Sequence, residues 1–191
     1  METPDEALCE RVAGRDEAAF DLLVERYQQR AFRLAWSILR DAEEARDVSQ
    51  EAFMRLYQTA GSFAGRARFS TWFYRILVNL CLDHRRKQRW WRQVFAREER
   101  ADGIEASWLD EQAAPATDPA DALDQEQALA HVWAAAAELS PQQRAVLVLQ
   151  VQDDLSMKDI AAVLGCSEAT ARVHLHRALS ALRRTLRKER T

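Results

Sequence analysis

Arg172, Val173, His176 and Arg177 occur in the segment LSMKDIAAVLGCSEATARVHLHRALSALRR, Leu155–Arg184. Around them Ala171, Leu175, Ala178 and Leu182 recur at spacings that make one apolar helix face. The four residues are left on the outer side, with Arg183 and Arg184 behind them. A rigid helix projecting forked guanidinium donors, with further cations to hold phosphates, is equipped to read the major groove of a duplex. Bond-making chemistry has no comparable basis, because no cluster of His, Asp, Glu or Cys has catalytic or ligand spacing. His174 and His176 alternate and do not share a helix face. Cys81 and His84 do share one, but two ligands do not make a metal site. Neither an enzyme nor a cofactor or metal is expected.

A second constellation lies in FSTWFYRILVNLCLDHRRK, Phe69–Lys87, which sorts aromatics and cations lengthwise. Trp72, Phe73 and Tyr74 stand at one end, and Arg85, Arg86 and Lys87 at the other. Phe73, Ile76, Leu77 and Leu80 give a helix a buried side, and Trp72 reads as core. Arg75, Asn79 and Arg86 line another side at helical spacing. The preceding GSFAGRARFS, Gly61–Ser70, is a glycine-bearing loop with Arg66 and Arg68, and Ser70 is placed to cap the helix. Further upstream, in DAEEARDVSQEAFMRLY, Asp41–Tyr57, the stripe Ala45, Val48, Ala52 and Leu56 is inward. Asp47, Gln50 and Glu51 project away from it, near Glu43 and Glu44. Periodicity alone makes that a solvated acidic face.

The elements that must position these residues are helical. The chain has 191 residues, 48% hydrophobic and 30% charged, with only five glycines and four prolines, too few turn formers for a sheet protein. A first helix is expected from Thr3-Pro4-Asp5-Glu6, with a threonine cap and Glu6 closing a capping box. Gly14 interrupts it. Phe20, Leu23, Tyr27, Leu34 and Ile38 then mark a long helix to about Arg40, and Asp41 opens the next. Ala101–Pro119 is acidic and Ala/Pro-rich and reads as a linker. Helices resume near Ala122, with Leu129, Val132, Trp133 and Ala136 inward, and Ser140-Pro141-Gln142-Gln143 is a stop and restart. Ser156 with Asp159 as a capping box, Ile160, Ala161 and Leu164 inward, Gly165 at the turn and Ser167 as the second cap make a helix-turn-helix. The expected fold is all-α: two small helical domains, 1–100 and 122–191, joined by an acidic flexible linker over 101–121.

Charge follows the same division. The net charge of −3 conceals a stretch from Ala101 to Ala130 with eight acids and no Lys or Arg, between basic runs at His84–Arg100 and Arg172–Arg190. Three widely spaced cysteines with no C-x-x-C suit reduced thiols in a cytosol. The start METPDEALCE is acidic and lacks the basic n-region and apolar core expected of a leader, and no run approaches the roughly 18 apolar residues of a membrane span. A cytoplasmic protein without membrane insertion is expected.

The three blocks, in this order, resemble the extracytoplasmic-function (ECF) sigma factors of bacteria over nearly the whole chain. The resemblance implies a sigma region 2 helical bundle before the linker and a sigma region 4 helix-turn-helix after it. It also implies a factor that binds core RNA polymerase, directs it to specific promoters and promotes DNA opening, without catalysis of its own. By it, Asp47, Gln50 and Glu51 dock on the clamp of polymerase's largest subunit, and region 4 meets the flap of the second-largest. Arg66, Arg68, Arg75, Asn79 and Arg86 read the minus-ten DNA, the loop trapping a flipped base. Ser167, Thr170, Arg172, Val173, His176 and Arg177 read the minus-thirty-five DNA. An anti-sigma factor is an implied further partner, and the linker's acids would mimic nascent RNA along its path. A one-component regulator, a helical sensor with a DNA-binding tail, would leave the Asp47 block and the Trp72–Lys87 helix unexplained.

Overall fold

A computed structural model of the chain describes residues 3–102 and 139–188. Among the described residues the structure is helical, without strands: α1 (Asp5–Ala13), α2 (Glu17–Leu39), α3 (Ala42–Thr59), a 3-10 turn (Ala60–Ser62), α4 (Phe69–Asp102), α5 (Pro141–Asp153), α6 (Met157–Leu164) and α7 (Glu168–Lys188). α4 runs past the expected domain boundary at 100. The rest of the expected linker and the helix placed on Leu129, Val132, Trp133 and Ala136 lie outside the described residues.

Most helix starts are set by a single side chain. Asp16 Oδ1 accepts from the Ala19 amide at 3.1 Å, and Asp41 Oδ1 from that of Glu44 at 2.9 Å. Ser140 and Gln143 close a full reciprocal box at α5, with Pro141 in the first turn. The hydroxyl of Ser156 accepts from the Asp159 amide at 3.2 Å and donates to the Asp159 carboxylate at 2.6 Å. Gly165 ends α6 at φ 64°, the left-handed conformation that glycine adopts without penalty, and turns the chain into α7.

Two expected caps are not made. Pro4, not Thr3, stands at the N-cap of α1, and it offers no side-chain acceptor. Glu6 does not reach back; its Oε1 accepts from the Phe69 amide at 3.0 Å, across 63 residues. Ser70 is not the cap of α4, since the helix already begins at Phe69. The unpaired amides of a helix N-terminus draw the nearest carboxylate, and here that carboxylate comes from another helix.

The core gathers around the start of α4. Phe69, Phe73, Tyr74 and Leu77 are fully buried. Tyr27 of α2 meets Phe69, Phe73 and Tyr74 edge-on, with ring centroids 5.2, 5.7 and 6.0 Å away. Trp72 is half-buried against Phe63 and Phe69, so the aromatics of this helix pack as core, as expected for Trp72. In the C-terminal unit Leu149, Leu155, Ile160 and Ala171 are buried. The two units are not separate bodies: α2 packs on α5 and α4 on α6, and one apolar core runs through both.

Candidate nucleic-acid interface

α3 forms a ridge. Its stripe Ala45, Val48, Ala52 and Leu56 is buried, and Asp47, Gln50 and Glu51 are exposed, as the periodicity requires. Glu44 departs from that face: its carboxylate bonds the Gln88 amide and lies 3.4 Å from His84 Nε2, tying α3 to the basic half of α4. Gln50 lines a groove of about 540 Å³ between α2 and α3, with Arg33, Arg46 and Phe53. Glu51 lines another of about 440 Å³ between α3 and α4, with Asp83, His84 and Arg86. On the crest, among Asp47, Gln50 and Glu51, stands Met54 at 61% exposure. Sequence reasoning passed over Met54, although its position seven residues after Asp47 puts it on the same strip.

Along α4, Arg75, Asn79 and Arg86 are all exposed on one side. Arg86 pairs with Asp83 one turn back. Arg85 is turned away from this row and donates to the Ile38 carbonyl at 3.0 Å, so part of the basic cluster serves the fold. Arg66 and Arg68 are exposed on the loop before α4, beside Gly65 at φ 65°. A side chain at that left-handed position is strained, so the glycine lets the loop turn sharply ahead of the helix.

α5, α6 and α7 present the helix-turn-helix. Ser167 Oγ accepts from the Thr170 amide at 3.1 Å and shares a hydrogen bond with Thr170 Oγ1 at 2.8 Å, so both hydroxyls shape the first turn of α7. Beyond them Arg172, Val173, His176 and Arg177 are exposed, and Ala171 and Ala178 are fully buried on the other side. Arg172 lies 2.5 Å from Glu168 one turn back. A pair so exposed stabilises little, but it holds the guanidinium along the helix axis. Leu175 and Leu182 are half-buried, and His174 is partly buried, away from His176.

Two cysteines, Cys9 and Cys81, are buried away from these rows. Burial, helped by Glu10 and Glu6, pushes the Cys9 thiol up to about 11, and burial pushes Cys81 up to about 12. Such thiols are poor nucleophiles. Among the described residues no group of three or more His, Cys, Asp and Glu could hold a metal ion, and no helix is long and apolar enough to cross a membrane.

Two family models match the chain: Sigma-70 region 2 over residues 23–91, and Sigma-70, region 4 over residues 130–182. The first covers most of α2, all of α3, the loop and most of α4; the second includes the helix-turn-helix. RNA polymerase sigma-H factor of Pseudomonas aeruginosa is 34% identical over 95% of this chain and 93% of its own length. ECF RNA polymerase sigma factor SigW of Bacillus subtilis is 31% identical over 93% and 94%, and ECF RNA polymerase sigma-E factor of Escherichia coli 33% over 93% and 92%. Among solved structures, CnrH in complex with the cytosolic domain of CnrY shares the fold with a TM-score of 0.67 at 22% identity, covering 96% of this chain and 97% of that one. The sigma factor RpoE in complex with the anti-sigma factor NepR from Bartonella quintana does so with a TM-score of 0.65 at 23% identity, covering 88% and 96%. With both regions matched in order and such likeness along nearly its full length, the chain belongs to the ECF subfamily of bacterial sigma factors, which direct RNA polymerase to promoters and start transcription.

Proposed function

We propose that the three exposed rows divide the work of initiation among them. The α3 ridge, Asp47, Gln50 and Glu51 with Met54 at its centre, docks on the basic clamp helices of polymerase's largest subunit. Acidic and amide groups set specificity and encounter rate, and an exposed methionine supplies adaptable apolar contact. The grooves on either side of the ridge give a pair of helices somewhere to seat. The helix-turn-helix unit meets the flap of the second-largest subunit.

On DNA, the α4 row and its loop take the minus-ten element. Arg75, Asn79 and Arg86 follow one separated strand, and Arg66 and Arg68 hold phosphates where a base is flipped toward the loop. α7 takes the minus-thirty-five duplex: Arg172 and Arg177 reach base edges or phosphates, Val173 offers an apolar contact, His176 a further donor, and Ser167 and Thr170 order the N-terminal turn. Residues 1–100 and 122–191 act as the two readers and the acidic 101–121 as their tether. The protein acts in the cytoplasm without catalysis of its own, and an anti-sigma factor of the kind bound to RpoE in the Bartonella quintana structure is its regulator.

The observation that supports this division is that each row is exposed while the stripe behind it is buried. Permanganate footprinting of open complexes beside filter binding tests it, with Asn79→Ala and Arg177→Ala compared. Asn79→Ala should keep duplex capture and lose strand opening. Arg177→Ala should lose about 1–3 kcal/mol of capture on a fully paired template and far less on one already unpaired at minus ten. Equal loss of capture and opening in both variants refutes two separate readers.

A further inference from the structure

Two side chains of the N-terminal segment reach the two ends of the loop that precedes α4. At its exit, Glu6 of α1 accepts at 3.0 Å from the amide of Phe69, the first residue of α4. At its entry, Arg15, in the turn after α1, lies over the Tyr57 ring, 4.9 Å from its centroid. The same guanidinium donates to the Tyr57 carbonyl, in the last turn of α3, at 3.5 Å. Between Glu6 and Arg15 in sequence, Leu8, Cys9 and Val12 are fully buried, and α1 packs on the 3-10 turn Ala60–Ser62 and on α4.

α1 is itself fastened to α2. Asp5 accepts from Arg26 at 2.5 Å and from the Tyr27 hydroxyl at 2.6 Å, and Arg26 also donates to the Thr3 carbonyl at 2.8 Å. A short helix seated by charge-assisted bonds as well as by its apolar face is a firm support. Arg15 is constrained further by its backbone. It stands at φ 66°, a left-handed conformation uncommon for a residue with a Cβ, although Gly14 beside it stays at φ −81°. Such a conformation persists only when the surroundings over-determine it. Here the Val12 carbonyl accepts from the Arg15 amide at 2.9 Å, and Tyr57 engages the side chain.

The loop is thus pinned at its base and open at its tip. Phe63 is half-buried and meets Trp72 and Phe69, with ring centroids 5.3 and 6.1 Å away. Residues 64–68 are exposed, with Arg66 and Arg68 among them. The match to Sigma-70 region 2 begins at residue 23, after both Glu6 and Arg15.

We propose that α1 and its turn are a brace for the minus-ten loop, with Glu6 and Arg15 as positioning residues for strand opening. The inference rests on the minus-ten reading above. Neither residue touches DNA; each fixes one end of the loop, so that Arg66, Arg68 and the place for a flipped base are set before the base leaves the stack. A loop ordered only at that moment would add its own entropy cost to that of unstacking. Capture of the minus-thirty-five duplex, which uses α7, makes no call on the brace.

The test uses the full-length chain with core polymerase and a fully paired promoter, reading opening by permanganate footprinting and capture by filter binding. Arg15→Asn removes the guanidinium but keeps a residue that tolerates the left-handed conformation, so Tm should not fall. It should slow opening about threefold, the weight of a cation over an exposed ring. Glu6→Ala should slow opening about tenfold, the weight of a charge-assisted hydrogen bond, and Glu6→Gln, which keeps an acceptor, about twofold. Capture should be unchanged in all three. Because one helix holds both ends, each of Arg15→Asn and Glu6→Ala should quicken hydrogen exchange in the free protein at two amides. These are Phe63, bonded to the Ala60 carbonyl at 3.0 Å, and Phe69. Arg66→Ala, run alongside, reports on the loop's own part in opening. Exchange that quickens only at the substituted end overturns the brace and leaves the minus-ten reading standing. So does opening that keeps its rate in Arg15→Asn and Glu6→Ala while Arg66→Ala slows it. Opening that none of the variants slows, Arg66→Ala included, overturns both.

Discussion

Removing the carboxylate of Glu6 should loosen the helix that bears Asn79, although the two lie 73 residues apart in sequence. Glu6 Oε1 accepts from the Phe69 amide at 3.0 Å in a partly buried site, so it both satisfies an N-terminal amide of α4 and sets a negative charge at the positive end of that helix. A lost N-terminal hydrogen bond costs about 1 kcal/mol. The charge at the helix terminus adds roughly 0.3–1 kcal/mol. Glu6→Ala should therefore destabilise by about 1.5–2 kcal/mol, which lowers Tm by about 4–6 °C in a chain of this length. Glu6→Gln keeps an acceptor oxygen and loses only the charge, so its loss should be about 0.5 kcal/mol. Hydrogen exchange at the Phe69 amide, measured beside thermal unfolding, separates the local from the global effect. Equal losses in the two variants would place the effect elsewhere than the hydrogen bond. An unchanged Phe69 exchange rate in Glu6→Ala would refute the cap outright.

Three other outcomes follow from the same structure. Asp47→Lys should weaken association with core polymerase by a few kcal/mol if it sits in the interface core and by less at its rim, and Met54→Ala should weaken it without changing its salt dependence; competition against an unmodified sigma factor measures both. Burial and the neighbouring Asp153 push the Tyr74 phenol above its usual range, and burial and Asp5 do the same to Tyr27. Above pH 10 each of these tyrosines thus releases in the unfolded chain a proton that the folded chain keeps, and stability falls by about 1.4 kcal/mol per pH unit for each, beside the like contribution of the raised Cys9 and Cys81 thiols; Tyr74→Phe should remove about 1.4 kcal/mol per pH unit from the slope in alkaline denaturation. The isolated protein, at net charge −3, should bind promoter duplex weakly at physiological salt, with specific binding only beside polymerase; nanomolar specific binding alone in a filter assay contradicts this.

How much of this the sequence disclosed depended on the range of the interaction. Asp16, Asp41 and Ser140 act on amides three residues away, so the starts of α2, α3 and α5 were legible or nearly so. The exposed rows were legible too, since each is the complement of an apolar stripe with helical period. Glu6, Arg85 and Arg144 were misread or unnoticed because their partners are backbone groups far along the chain, and no local pattern announces such a partner. Met54 was missed for the opposite reason: an apolar residue in a helix is ordinarily assigned inward, and only the arc it shares with Asp47 says otherwise. The packing of α5 and α6 on α2 and α4 left no trace, because apolar residues that face a neighbouring unit have the same period as those that face their own.

The two buried alanines behind α7 also bear on how such a protein changes its targets over generations. Ala171 and Ala178 let α7 seat closely, and everything that fixes its depth lies on that inner side. Val173, His176 and Arg177, on the outer side, can be exchanged at a cost within about 0.5 kcal/mol, because all three are exposed when the protein is alone. Duplicated copies of the gene can thus drift in these few codons and acquire new promoter repertoires without first gathering compensating mutations. A single added methyl group at Ala171 or Ala178 would instead tilt the whole reading helix, so those two codons should be the slowest in this helix to diverge.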